Sequence, residues 1–252
     1  MKLENKVAIV TGAGSGIGKA IAILYAQEGA KVVVADINQD SAQAVVAEIT
    51  GKQGTAIAVA TNVALQADVD KVIDTAVKTY GSLDILVNNA GIMDNFVPVA
   101  ELTDELWDKV IAVNVTGPMR TIRKAMPLFL AQKKGVIINT ASIGGLYGSR
   151  AGAAYTASKH AIVGLTRNIG FQYALSGIRC NAIAPGGVNT NIGKTIDNPN
   201  KFGMERATAG ASSNPRMGEP MEIAAVALFL ASDEASFVNG TVITADSGWT
   251  AY

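Results

Sequence analysis

Short apolar runs rich in β-branched residues alternate with longer segments of helical period, and this alternation constrains the fold more than any other feature of the chain. Val7-Ala8-Ile9-Val10, Val32-Val33-Val34-Ala35, Ala56-Ile57-Ala58-Val59, Ile85-Leu86-Val87 and Val136-Ile137-Ile138 are the first such runs. Arg179 to Ile183 and Val242-Ile243-Thr244 supply the last two. Unbroken apolar runs suit strands covered on both faces, as in a parallel sheet between layers of helix. Between them the period changes: Val69, Val72, Ile73, Ala76 and Val77 trace one face of an amphipathic helix. Gly29, Gly51 and Gly81 stand where helices should stop in left-handed caps. Thr103, followed by Asp104 and Glu105, reads as a helix start. The pattern predicts an α/β fold: a doubly wound, mainly parallel seven-stranded sheet with helices on both faces. No linker, repeat or low-complexity tract divides residues 1–252, so one domain is expected. The irregular stretch from about 186 to 219 is long for a compact domain and reads as a loop over an active site.

Counting removes several classes of function. The 21 basic and 21 acidic residues cancel, leaving no electrostatic footprint for nucleic acid or anionic membrane. One cysteine, Cys180, excludes an intrachain disulfide. One histidine, His160, excludes a His/Cys metal cluster and a histidine-based triad. The strand pattern starts at Lys6, leaving no room for a targeting leader, and no apolar run approaches the ~18 residues of a membrane span. A soluble, cytoplasmic protein without a metal is the expectation.

Directly after the first strand run comes Thr11-Gly12-Ala13-Gly14-Ser15-Gly16-Ile17-Gly18, followed by a helical segment. Glycines there permit a tight turn and close approach of backbone to a pyrophosphate, held by N–H groups at the helix N-terminus. A glycine cluster alone also makes a plain turn; its place between strand and helix gives it meaning. Asp36 ends the second run, about 20 residues past the glycines, where a ribose-binding acid belongs. A 2′-phosphate beside Asp36 would meet like charge, at up to about 4 kcal/mol for ~4 Å and an effective dielectric of ~20. Half of that is a roughly thirty-fold preference. Ser15, Ile37 and Asn38 bring no cation to offset it, so NAD(H) is expected over NADP(H). The alternative role for Asp36 is to cap the next helix.

Tyr155 and Lys159 are four residues apart, one above the other if the segment is helical. A free tyrosine titrates near ~10, and a unit charge at ~4 Å in a dielectric of ~20 could draw it towards ~7. Such a phenol would exchange protons near neutral pH. A half-buried tyrosine beside a solvated lysine produces the same spacing.

Together these motifs resemble the short-chain dehydrogenase/reductase family over essentially the full length. Thr11 to Gly18 is similar to its T-G-x-x-x-G-x-G loop, and Asn88-Asn89-Ala90-Gly91 to its N-N-A-G. Asn114 in Val113-Asn114-Val115, Ser142, and Tyr155 with Lys159 match its remaining motifs. Pro185, Gly186, Val188 and Thr190 resemble the segment that contacts the nicotinamide carboxamide. The resemblance implies a Rossmann-type sheet and a catalytic tetrad of Asn114, Ser142, Tyr155 and Lys159. It implies cofactor contacts from Gly12, Ser15, Gly16, Ile17, Gly18, Asp36, Ile37, Asn62, Val63, Asn89, Ala90 and Gly91. Tyr155 would donate or accept the proton, Ser142 would stabilise the reacting oxygen, and Lys159 would lower the tyrosine pKa and hold the nicotinamide ribose. Asn114 would position a water. Singly, Ser142 could end a strand and Asn114 could kink a helix. Asn62-Val63 departs from the family's Asp-Val, but an asparagine carbonyl can still accept from the adenine amino group.

The expected substrate is a neutral ketone or secondary alcohol, with pocket candidates Met93, Asp94, Asn95, Phe96, Gly144 to Tyr147, Ile192, Phe202 and Met204; each could equally be packing. Two other readings remain. A 3-oxoacyl-acyl carrier protein reductase would prefer NADPH, which Asp36 opposes, and Phe171 stands where a carrier-docking arginine aligns. A catalytically silent NAD-binding regulator would have no need of Tyr155 with Lys159. By family analogy a homotetramer is expected; the face around Ala153, Ala161, Leu165 and Phe171 and the terminus Trp249 to Tyr252 could form its contacts, or could equally be ordinary core.

Overall fold

The computed structural model describes residues 1–251, so Tyr252 lies outside the described residues. Seven strands form one sheet in the order β3-β2-β1-β4-β5-β6-β7. They are β1 (Val7–Thr11), β2 (Lys31–Asp36), β3 (Thr55–Ala60), β4 (Ile85–Asn88), β5 (Gly135–Thr140), β6 (Ile178–Pro185) and β7 (Val242–Ala245). Every pairing is parallel, so the sheet exceeds the expected "mainly parallel".

The apolar runs are unbroken because each strand feeds two cores. Ala8 and Val10 of β1 face one core, with Tyr25, Val45 and Leu228. Val7 and Ile9 face the other, with Ile73, Ile122 and Phe129. The first core lies under α1 (Gly16–Gln27), α2 (Gln39–Gly51) and α8 (Pro220–Ala231); the second lies under α3 (Gln66–Tyr80), α5 (Gly117–Gln132) and α6 (Ala153–Gln172). Two further helices, α4 (Asp104–Ile111) and α7 (Lys201–Thr208), complete the set used below. Thr103 caps α4 as expected, accepting from Leu106 N at 3.2 Å.

β1 pairs with β2 on one side and β4 on the other, so the winding direction reverses between β1 and β4. A crevice at the carboxyl ends of these strands is the usual ligand site of such a sheet. Buried polar side chains tie its floor together: Thr121 Oγ1 donates to Asn88 Oδ1 at 2.6 Å, and Asn88 Nδ2 to Asn139 Oδ1 at 2.9 Å. Asn139 Nδ2 then donates to Thr166 Oγ1 at 2.9 Å. Four elements are thus held in register by groups that satisfy one another.

Two expectations need correction. Gly51 is the last residue of α2 rather than a left-handed cap; Gln53, at φ 65°, takes the left-handed turn. The stretch 186–219 is not a bare loop. Asn200 accepts from Gly203 N at 2.9 Å and starts α7. A helix of this length with a glycine in its first turn gives almost no periodic signal. No described helix is long and apolar enough to cross a membrane.

Candidate active site

The glycine loop between β1 and α1 is shaped by steric necessity. Gly12 adopts φ +63°, and a Cβ there would lie 2.8 Å from Ala90 Cα. A Cβ on Gly18 would lie 2.6 Å from Asn89 Nδ2. Asn89, just past the neighbouring strand β4, closes the loop by donating to Thr11 O at 3.1 Å and Gly12 O at 3.3 Å. Asp36 closes it from β2, accepting from Gly14 N at 2.8 Å and from Asn38 N at 2.9 Å. The cap of α2 is Asn38, which accepts from Ser41 N at 2.9 Å, so the capping role considered for Asp36 falls to its neighbour. Among the described residues Asp36 enters no ion pair.

From this loop a cleft of about 390 Å³ runs along the carboxyl ends of the strands. Gly12, Ser15, Gly16, Ile17, Asp36, Ile37, Asn62, Val63, Asn89, Ala90 and Gly91 line it. So do Ser142, Tyr155, Lys159, Pro185, Gly186, Val188 and Thr190, with Thr190 packed close to Gly16. Of the expected cofactor contacts and catalytic tetrad, Gly18 and Asn114 alone do not line it. Asn62 differs in detail: its Oδ1 already accepts from Ala64 N at 3.0 Å, leaving one lone pair for a ligand. Sequence reasoning missed Thr61, Ile92, Val113, Thr140, Ala141, Asn191 and Thr195, which line the cleft. Most flank a recognised motif, and that adjacency was the available signal.

Tyr155 and Lys159 share one face of α6 and are buried, at 7% and 4% exposure. The Lys159 ammonium donates to Thr140 O at 2.8 Å and stands 5.5 Å from the Tyr155 ring centre. Burial pushes the tyrosine up to about 12; the facing Ser142 hydroxyl offsets part of this, and the charge of Asp94 adds to it. Burial also draws Lys159 down to about 8. This corrects the expectation of a phenol drawn towards neutrality by a neighbouring cation. Desolvation of both groups outweighs the attraction.

Asn114 sits in a π-helical turn, Ala112–Thr116, between α4 and α5. Its Nδ2 donates to Ile92 O at 3.0 Å and Ser158 Oγ at 3.1 Å, and its Oδ1 accepts from Ile92 N at 2.9 Å. Both amide donors are thus spent, and Oδ1 keeps one lone pair that a water could use.

Several expected pocket residues serve other ends. Asp94 is fully buried and accepts from Tyr155 N at 2.8 Å, Gly152 N at 3.1 Å and Phe96 N at 3.2 Å. It therefore clasps the start of the helix that carries Tyr155. Asn95 O accepts from Asn200 N at 2.8 Å, anchoring α7. Ile192 lines the cleft; Met93, Phe96, Phe202 and Met204 do not.

A family model described as "Enoyl-(Acyl carrier protein) reductase" matches residues 12–250. The chain is 47% identical to 3beta-hydroxysteroid dehydrogenase 2 of Eggerthella lenta, covering 99% of this chain and 96% of that protein. It is 41% identical to cyclohexanol dehydrogenase of an Acinetobacter species, over 99% and 96%. A candidate NAD(P)-dependent gluconate 5-dehydrogenase from Beutenbergia cavernae, with NADP bound at low occupancy, superposes with TM-score 0.89 at 38% identity, over 100% and 99%.

Proposed function

The chain belongs to the short-chain dehydrogenase/reductase family, and on that premise we propose that it interconverts a secondary alcohol and a ketone with NAD(H). The observation that carries this reading is that Ser142, Tyr155 and Lys159 line the same cleft as the glycine cradle and Asp36. The cradle suits a dinucleotide: glycines packed tightly on Ala90 and Asn89 hold a bare backbone turn between β1 and the start of α1.

A bound nicotinamide supplies the hydride donor or acceptor. The protein's own part is proton transfer and charge stabilisation. In reduction the buried, neutral Tyr155 hydroxyl gives its proton to the carbonyl oxygen. Ser142 hydrogen-bonds the same oxygen as negative charge develops. Lys159, anchored on Thr140 O, presents its remaining N–H donors to the ribose side of the cleft. In oxidation Tyr155 receives the alcohol proton, and positive charge nearby favours its anion.

Asp36 supports NAD(H), since both its oxygens are placed among backbone donors with no cation beside them. The NADP held by the Beutenbergia cavernae protein weighs the other way, which makes cofactor choice the first thing to measure. The acyl-carrier reading gains nothing at Phe171, an apolar side chain 86% exposed on α6. That same exposure suits a subunit contact, and we extend the proposal to a homotetramer, checked by light scattering of the purified protein. The test of activity is a rate panel of NADH and NADPH against ketones, with secondary alcohols in reverse. Cofactor binding without turnover of any of them would leave a silent NAD-binding regulator.

A further inference from the structure

Arg150 lies just before α6, on the segment that joins Ser142 to Tyr155. A Cβ built on Gly144 would lie 3.4 Å from Ser142 Oγ, 3.6 Å from Tyr155 Cε1 and 3.6 Å from Arg150 Cβ. The arginine therefore roots beside the reacting end of the cleft. Its guanidinium stacks on Trp249, 4.3 Å from the ring, and reaches the backbone at Gly210, just beyond α7. Trp249 is itself fixed, donating from Nε1 to Gly210 O and Ser213 Oγ at 3.0 Å each.

Among the described residues Arg150 enters no ion pair, and its Nε is buried without a hydrogen-bond acceptor. A planar guanidinium held against an indole, partly desolvated and lacking an acceptor, is pre-organised for a carboxylate. Nε is shut in, so the Nη groups are the ones that could pair with a carboxylate arriving from outside.

We propose that Arg150 is a specificity residue that recognises a carboxylate on the substrate, remote from the carbon undergoing hydride transfer. This rests on the alcohol–ketone reading above and deepens it: the reacting group is neutral, and the far end of the molecule is anionic. The alternative, a stack that merely pins the C-terminal segment, gives no preference between charged and uncharged ends.

The test uses methyl-ketone acids of graded length (5-oxohexanoate, 7-oxooctanoate and 9-oxodecanoate), each against its methyl ester. At the best length the acid should exceed its ester in kcat/KM by about tenfold or more, a margin that shrinks at high salt. In Arg150→Met the acid-to-ester ratio should fall close to one, and in Arg150→Lys to an intermediate value. An acid-to-ester ratio of one or less at every length in the wild type, or a preference that survives Arg150→Met, overturns the proposal. Trp249 provides a readout independent of turnover. In a Trp107→Phe background, the acids but not the esters should perturb its fluorescence saturably. That response without turnover would keep the carboxylate site and sink the enzymatic reading. Neither response would sink both, and turnover of the esters without acid preference would sink the carboxylate site alone.

Discussion

The Lys159 ammonium faces the Tyr155 ring from 5.5 Å but donates its hydrogen bond to the Thr140 carbonyl, 2.8 Å away. The lysine is therefore a fixed charge, and the phenol is governed mainly by its own burial, which pushes it up to about 12. Below that value Tyr155 is a neutral acid, ready to donate a proton and reluctant to take one. Ketone reduction should be nearly flat across the neutral range and decline only at high pH. Alcohol oxidation needs the anion, so its kcat/KM should rise with pH, at values below 12 because the oxidised nicotinamide is positive. Profiles of both directions check this; oxidation that falls between pH 6 and 9 would contradict it.

Lys159 should also cost the protein stability. Its pKa falls from 10.5 in the unfolded chain to about 8 in the fold, through burial. A depressed lysine pKa means that the folded state resists the charge. The penalty is complete below pH 8 and is relieved as pH rises towards 10.5. At about 1.4 kcal/mol per unit it amounts to roughly 3 kcal/mol, less the lost hydrogen bond to Thr140. Lys159→Met should therefore unfold a few degrees higher than wild type at pH 7 while losing turnover. The gap should close by pH 10, which thermal denaturation at several pH values will measure.

Asp94 acts on the same helix from beneath. Its three backbone partners include the N–H of Tyr155, so Asp94→Ala should destabilise the fold by about 3 kcal/mol or more in chemical denaturation. Asp94→Asn carries a subtler signature. The aspartate charge raises the Tyr155 pKa, so its removal should move the oxidation profile to lower pH. General damage to the helix would lower the rate without that shift.

Cofactor choice tests the electrostatics around Asp36. Asp36→Ala should reduce an NADH preference of roughly thirty-fold to near parity, and adding Ile37→Arg should reverse it. Steady-state kinetics with both cofactors decides; an NADPH preference in the wild type would overturn the assignment of Asp36.

Much of the fold was legible because β1 and β2 need apolar residues on both faces, and unbroken runs such as Val32 to Ala35 have few other uses. The glycine loop was legible because no other residue fits at Gly12. What escaped depends on contacts distant in sequence. Asp94 looked like pocket lining because nothing local reveals that Gly152 N and Tyr155 N converge on it. The spacing of Tyr155 and Lys159 gave their common face but not their burial. A one-dimensional pattern cannot weigh desolvation against attraction. Arg150 carried no signal until Trp249, from the far end of the chain, was found beneath it.

The most direct measurement is paired: NADH binding by fluorescence titration, and steady-state oxidation of secondary alcohols, for wild type and Tyr155→Phe. The expected result is turnover by the wild type, with the variant binding NADH within a few-fold of wild type and losing at least about a thousand-fold in rate. A variant that binds NADH and still oxidises the alcohol at a comparable rate would contradict the account.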